Sequence, residues 1–70
     1  MRNDTLKGCV DGVHGDHLFL LGEDGATYYA LRSELIADAQ NPYIGMRVSF
    51  VPHRVQGHRR PFGNEIRIER

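Results

Sequence analysis

Seventy residues, 40% of them apolar, make one small domain (residues 1–70) with a thin core, because a chain of this size buries only roughly 60% of its unfolded surface. That length excludes dinucleotide-binding, TIM-barrel and α/β-hydrolase units. The longest apolar runs, such as Leu18-Phe19-Leu20-Leu21, are too short for a membrane span or a signal-peptide core, and nine basic residues balance nine acidic ones.

Eight Gly and three Pro punctuate short apolar runs, the spacing of an all-β chain. Residues Leu6 to Val13 form a candidate first strand interrupted by Gly8 and Gly12, and a glycine inside a strand marks a bulge or bend. His14-Gly15-Asp16 reads as a turn. His17 to Leu21 is a second strand, and Gly22-Glu23-Asp24-Gly25 is a hairpin turn carrying the strong Asp-Gly signal. Ala26 to Leu31 is a third strand. Arg32 to Asp38 changes character: Ser33 is placed to cap a short helical turn, with Leu35 and Ile36 toward the core, and Asn41-Pro42 ends it. Gly45 opens a fourth strand, Met46 to Val51, with Met46, Val48 and Phe50 on one face and Arg47 and Ser49 on the other. A basic loop, His53 to Arg60, leads to the last strand, Phe62 to Ile68, which puts Ile66 and Ile68 opposite Glu65, Arg67 and Glu69.

Five strands with a helical turn between the third and fourth predict a small closed barrel, since closure hides sheet edges in a short chain. The five-stranded OB-fold is one such architecture, and SH3-like barrels are close in size and strand count.

The order of features resembles the bacterial cold-shock domain, an OB-fold family that binds single-stranded RNA and DNA. Lys7-Gly8-Cys9-Val10 looks like the family's Gly-x-Val opening. His17-Leu18-Phe19-Leu20 stands where the family has its first aromatic RNA-binding motif. Tyr28-Tyr29-Ala30-Leu31, followed by Arg32-Ser33, stands at the second. Gly45-Met46-Arg47-Val48-Ser49-Phe50 and Arg60-Pro61-Phe62-Gly63-Asn64-Glu65-Ile66 look like its closing strands. The resemblance covers residues 6–68 and implies an all-β, OB-fold-like barrel. Departures fall on the binding motifs. His14-Gly15-Asp16 replaces a glycine-lysine stretch, Gly12 falls where the family has a surface tryptophan, His17 replaces a Phe, and Leu31 replaces a His.

Strand alternation sharpens the functional expectation. With Leu18 and Leu20 inward, His17 and Phe19 face out; with Tyr28 and Ala30 inward, Tyr29 and Leu31 face out beside them. A one-residue slip of register reverses that set. Exposed rings beside cations suit single-stranded nucleic acid, and Arg32, Arg54, Arg59 and Arg60, with His58 and His53 at lower pH, are the candidate phosphate contacts. Tyr43 and Phe62 either extend the rings or cap the core. Charge supports a polyanion partner: residues 1–40 carry three basic against seven acidic residues, a net of −4, whereas residues 41–70 carry six Arg against two Glu, a net of +4. Scattered surface ion pairs explain the same asymmetry equally simply.

Catalysis finds no motif. Ser33, Cys9 and Thr27 lack a base at any recognisable spacing, and Glu23 and Asp24 are turn residues. A single cysteine makes no intrachain disulfide and no cysteine-based zinc cage, and no cofactor or metal is expected. A reducing cytoplasm is the expected compartment, with no membrane association. The leading expectation is a non-enzymatic binder of single-stranded RNA or DNA with little sequence preference. The alternatives are a protein-interaction or self-association module using the same surface, and a pH or small-molecule sensor built on the four histidines.

Overall fold

The computed structural model describes residues 4–35 and 41–69. Strand β1 spans Leu6–His14, β2 His17–Gly22, β3 Thr27–Leu31, β4 Arg47–His53 and β5 Phe62–Ile68, with one 3-10 turn at Arg32–Glu34 between β3 and β4. The strands close into a barrel in the order β1-β2-β3-β5-β4, with β4 pairing back onto β1. Every pairing is antiparallel except β3 with β5, which is parallel. The chain is therefore an all-β, five-stranded OB-fold-like barrel with a short helical turn between the third and fourth strands.

Period-two alternation fills the interior. Leu18 and Leu20 of β2, Tyr28 and Ala30 of β3, Val48 and Phe50 of β4, and Ile66 of β5 are buried together with Val10 and Met46. Tyr28 and Phe50 meet at 4.9 Å between ring centroids. Leu6, Val13, Ala26, Leu35 and Ile68 pack partly buried around this cluster.

Close approach of backbones fixes Gly8. A Cβ built there would sit 2.2 Å from the Leu21 carbonyl oxygen, so only hydrogen fits where β1 crosses β2. The first hairpin is tighter than expected. His14 ends β1 and pairs with His17, leaving only Gly15 and Asp16 in the turn. Gly15 has φ 60°, the geometry that a two-residue hairpin loop asks of its first residue.

Two bulges interrupt the pairing. Between β1 and β2, Val10 pairs with Leu20 but Gly12 pairs with Phe19, so Asp11 is an extra residue. Between β4 and β5, Ser49 pairs with Arg67 and Val51 with Asn64, so Glu65 and Ile66 together oppose Phe50. Glu65, in this bulge, takes the left-handed conformation at φ 50°.

Several expectations are corrected. Leu31, not Ser33, occupies the N-cap of the 3-10 turn, and no side chain caps it; three residues are too few to leave a full set of orphan amides for a hydroxyl. Ser49 is buried at 7% exposure rather than facing solvent. It sits on the middle strand of three, paired with Lys7 on β1 and with Arg67 on β5. β3 begins at Thr27 rather than Ala26, and β4 runs from Arg47 to His53 rather than from Met46 to Val51. The expected helical character of Ile36 to Asp38 lies outside the described residues.

Candidate functional site

Four strands contribute to one outward face. Phe19 of β2 pairs with Tyr29 of β3, and Tyr29 pairs in parallel with Phe62 of β5. Residues paired across a sheet project to the same side, so the three rings form a row. Tyr29 and Phe62 lie 5.1 Å apart edge-to-face, and Phe19 and Tyr29 5.9 Å. His17 stacks on Tyr29 at 5.2 Å and meets the edge of Phe19 at 5.9 Å. The alternation expected of β2 and β3 therefore holds, with Tyr28 inside and Tyr29 outside.

The row is longer than the sequence suggested. His14 stacks on His17 at 5.7 Å and touches Phe19 edge-on at 5.5 Å. At the other end His58 meets Phe62 edge-on at 5.1 Å. Six rings thus run continuously from β1 across β2, β3 and β5 into the loop after β4. His14 escaped sequence reading because it reads as part of the turn, whereas β1 runs through it; strict alternation from inward Val10 would in any case put Val13 out and His14 in. The Asp11 bulge shifts that parity by one, turning Val13 inward and His14 outward. Gly12 makes room beneath: a Cβ there would lie 3.1 Å from His14 Nε2 and 3.4 Å from the Phe19 ring. Phe62, left open between platform and core cap, belongs to the row. Tyr43 is exposed at 61% and lies outside it.

The cations are unevenly placed. Phe19, Tyr29, Phe62, His58, Arg59 and Arg60 line a groove of about 390 Å³. The Arg60 guanidinium sits over the Phe19 ring, 5.8 Å from its centroid, within cation–π range. Arg32 and Arg54 are not part of that groove. The Arg32 guanidinium donates to Asn41 Oδ1 at 2.7 Å, and Arg54 lines a separate cleft with Val55, Gln56 and Gly57 of its own loop. Leu31 is exposed at 45% and pairs with His17 at the margin of the face.

A second polar feature stabilises the hairpin between β2 and β3. Tyr28 Oη donates to Asp24 Oδ2 at 2.5 Å, and the Ala26 N–H donates to Asp24 Oδ1 at 3.0 Å. The tyrosine hydroxyl, followed by the amide, holds the Asp24 carboxyl below its ordinary range, and the same carboxylate, followed by burial, pushes the Tyr28 phenol up. Another cleft, between β1, β2 and β4, is lined by Lys7, Cys9, Leu21, Glu23 and Arg47 with glycine backbone between them.

Among the described residues no three His, Cys, Asp or Glu side chains are grouped to hold a metal ion, and no helix is long and apolar enough to cross a membrane. Chemically, the aromatic face offers π-surfaces to flat ligands and, at its edge, guanidinium groups to anions. No family model and no curated protein matches this chain.

Proposed function

We propose that the protein is a divergent cold-shock-like domain that binds single-stranded RNA or DNA without catalysis or a cofactor, in a reducing cytoplasm. One observation carries the reading: a continuous row of six rings on the outer face of an OB-fold-like barrel, with Arg59 and Arg60 beside it. Bases stack on rings whatever their identity, at about 1–3 kcal/mol each, so affinity comes with little sequence preference. Arg59 and Arg60 contact the phosphates that follow the stacked bases, and Arg60 gives up its place over Phe19 to an incoming base. Arg32 and Arg54, further out, make at most peripheral contacts.

The test is fluorescence anisotropy of labelled oligo(U) and oligo(dT) at low and moderate salt. Micromolar or tighter binding is expected. The folded Phe19→Ala/Tyr29→Ala variant should lose at least about 30-fold, the consequence of two stacking contacts at about 1 kcal/mol or more each. Failure of the folded protein to bind either oligonucleotide at low salt removes the reading, and the same face, with exposed Leu31 at its margin, then points to a protein partner.

A further inference from the structure

Half of the rings in the row are imidazoles, and two of them are in contact. His14 and His17 end the first hairpin as a directly opposed pair, their rings 5.7 Å apart and only 25° from parallel. Cross-strand pairing holds the two together, the Gly12 backbone leaves space under His14, and Phe19 touches both rings edge-on. Resting on the nucleic-acid reading above, we propose that the His14–His17 pair is a proton-dependent phosphate subsite, so that the protein grips single-stranded nucleic acid more tightly as pH falls.

The argument is electrostatic and geometric. Imidazole is the side chain that ordinarily changes charge between about pH 5 and 8. Two imidazolium rings at this spacing repel one another, and an anion placed between or above them relieves that repulsion. Phosphate binding and protonation therefore favour each other, and by linkage affinity rises as pH falls. The surroundings leave room for an outside anion. On β1 the nearby acidic residue is Asp11 in the bulge, and in the turn it is Asp16, whose carbonyl accepts the Arg32 N–H at 2.8 Å. Next to the pair, β2 and β3 present the uncharged Phe19, Tyr29 and Leu31 on this face, and the basic loop brings Arg60 over Phe19. His53, the partner of Phe62 across β4, and His58 lie at the far end of the row.

A purely stacking role has the opposite sign. A neutral imidazole pressed under a base resists protonation, so affinity would fall or stay level as pH drops. The pH trend thus separates a phosphate subsite from a stacking surface.

The experiment is anisotropy of oligo(dT), whose base does not titrate in this range, carrying a pH-insensitive label, from pH 8 to pH 5.5 at constant ionic strength. Affinity should rise on the order of tenfold per imidazole, the effect of a one-unit change in proton affinity on binding. His14→Phe/His17→Phe keeps both rings without the protons. Compared with its own affinity at pH 8, it should lose most of the pH dependence. Circular dichroism verifies its fold, and His14→Gln/His17→Gln serves if the phenylalanines perturb it. His53→Gln/His58→Gln should retain most of the slope. Binding that is level or weaker toward low pH, or a slope that survives both His14/His17 variants, overturns the subsite and leaves the nucleic-acid reading standing. No binding at any pH overturns both.

Discussion

Tyr28 and Tyr29 are adjacent in sequence and opposite in role. Tyr28 is 6% exposed and packs on Phe50, with its hydroxyl turned to Asp24 at the rim of the barrel. Tyr29 stands outside between Phe19 and Phe62. A buried phenol needs a partner for its hydroxyl, and the β2–β3 hairpin supplies one. Because the folded state holds the Asp24 carboxyl below its ordinary value, this bond contributes stability that is present above the unfolded Asp titration and is lost as pH falls through the folded one. For Tyr28, raised in the folded state, the contribution is full below the phenol's ordinary range and is lost as pH rises above it. Tyr28→Phe keeps the buried ring and removes the bond. Carboxyl NMR of that variant should show Asp24 titrating higher than in the parent, with the Ala26 amide still holding it down. The stability gap to the parent, read by urea unfolding, should narrow as pH falls through the Asp24 titration. An unmoved Asp24 midpoint would mean that the amide of Ala26 alone sets it. The inward and outward assignment of these two tyrosines was legible in sequence because β2 and β3 alternate cleanly. The role of Asp24 was legible only as a turn residue, since nothing in the spacing says that Tyr28 reaches back across the hairpin.

The elements show where alternation stops being a guide. β2 and β3 are regular, so His17, Phe19 and Tyr29 could be placed from period two alone. β1 and β5 each carry a bulge, and each bulge decides something that the pattern could not. Asp11 brings His14 onto the aromatic face. Glu65 and Ile66 share the space opposite Phe50, and Ile66 is buried there. A glycine near a bulge signals its presence, as Gly12 does, but not which way the parity moves. The second bulge is also tied to the 3-10 turn. The Glu65 N–H, turned out of the regular ladder, donates to Glu34 Oε1 at 3.0 Å, and Leu35 bridges to Ile66 in parallel just beyond. Arg32–Glu34 therefore plugs the irregular stretch of β5 rather than merely linking β3 to β4. Removing a charged acceptor from a part-buried amide costs about 1–3 kcal/mol. Glu34→Ala should lower unfolding stability by that amount, and Glu34→Gln, which keeps an acceptor oxygen, by clearly less. Equal losses in the two variants would show that the carboxylate charge, not the hydrogen bond, holds the turn to β5.

At the scale of the whole molecule, the acidic and basic halves of the sequence meet at two seams of the barrel. The acidic half supplies β1, β2 and β3, and the basic half supplies β4 and β5, but β5 closes the barrel against β3. The closure is narrow: one residue pair, Tyr29 with Phe62, reinforced by the Tyr29 N–H donating to the Pro61 carbonyl at 2.9 Å. That seam runs through the middle of the aromatic row, so it sets rings from the acidic half beside cations from the basic half. The face is thus aromatic first and cationic second, on a chain whose formal net charge is zero. A polyanion held this way depends on stacking, which salt hardly screens, more than on long-range attraction. Two to four neutralised phosphates at about −0.7 each imply a log–log salt slope between about −1.4 and −2.8 for single strands. Anisotropy titrations of oligo(dT) from 50 to 300 mM salt at pH 8 would measure it. Arg59→Ala/Arg60→Ala should flatten the slope by roughly 1 to 1.5, while Phe19→Ala/Tyr29→Ala should cut affinity and leave the slope nearly unchanged. A slope much steeper than −3, or one that the aromatic variant flattens as strongly as the arginine variant does, would make the interaction an electrostatic one and assign the rings to packing.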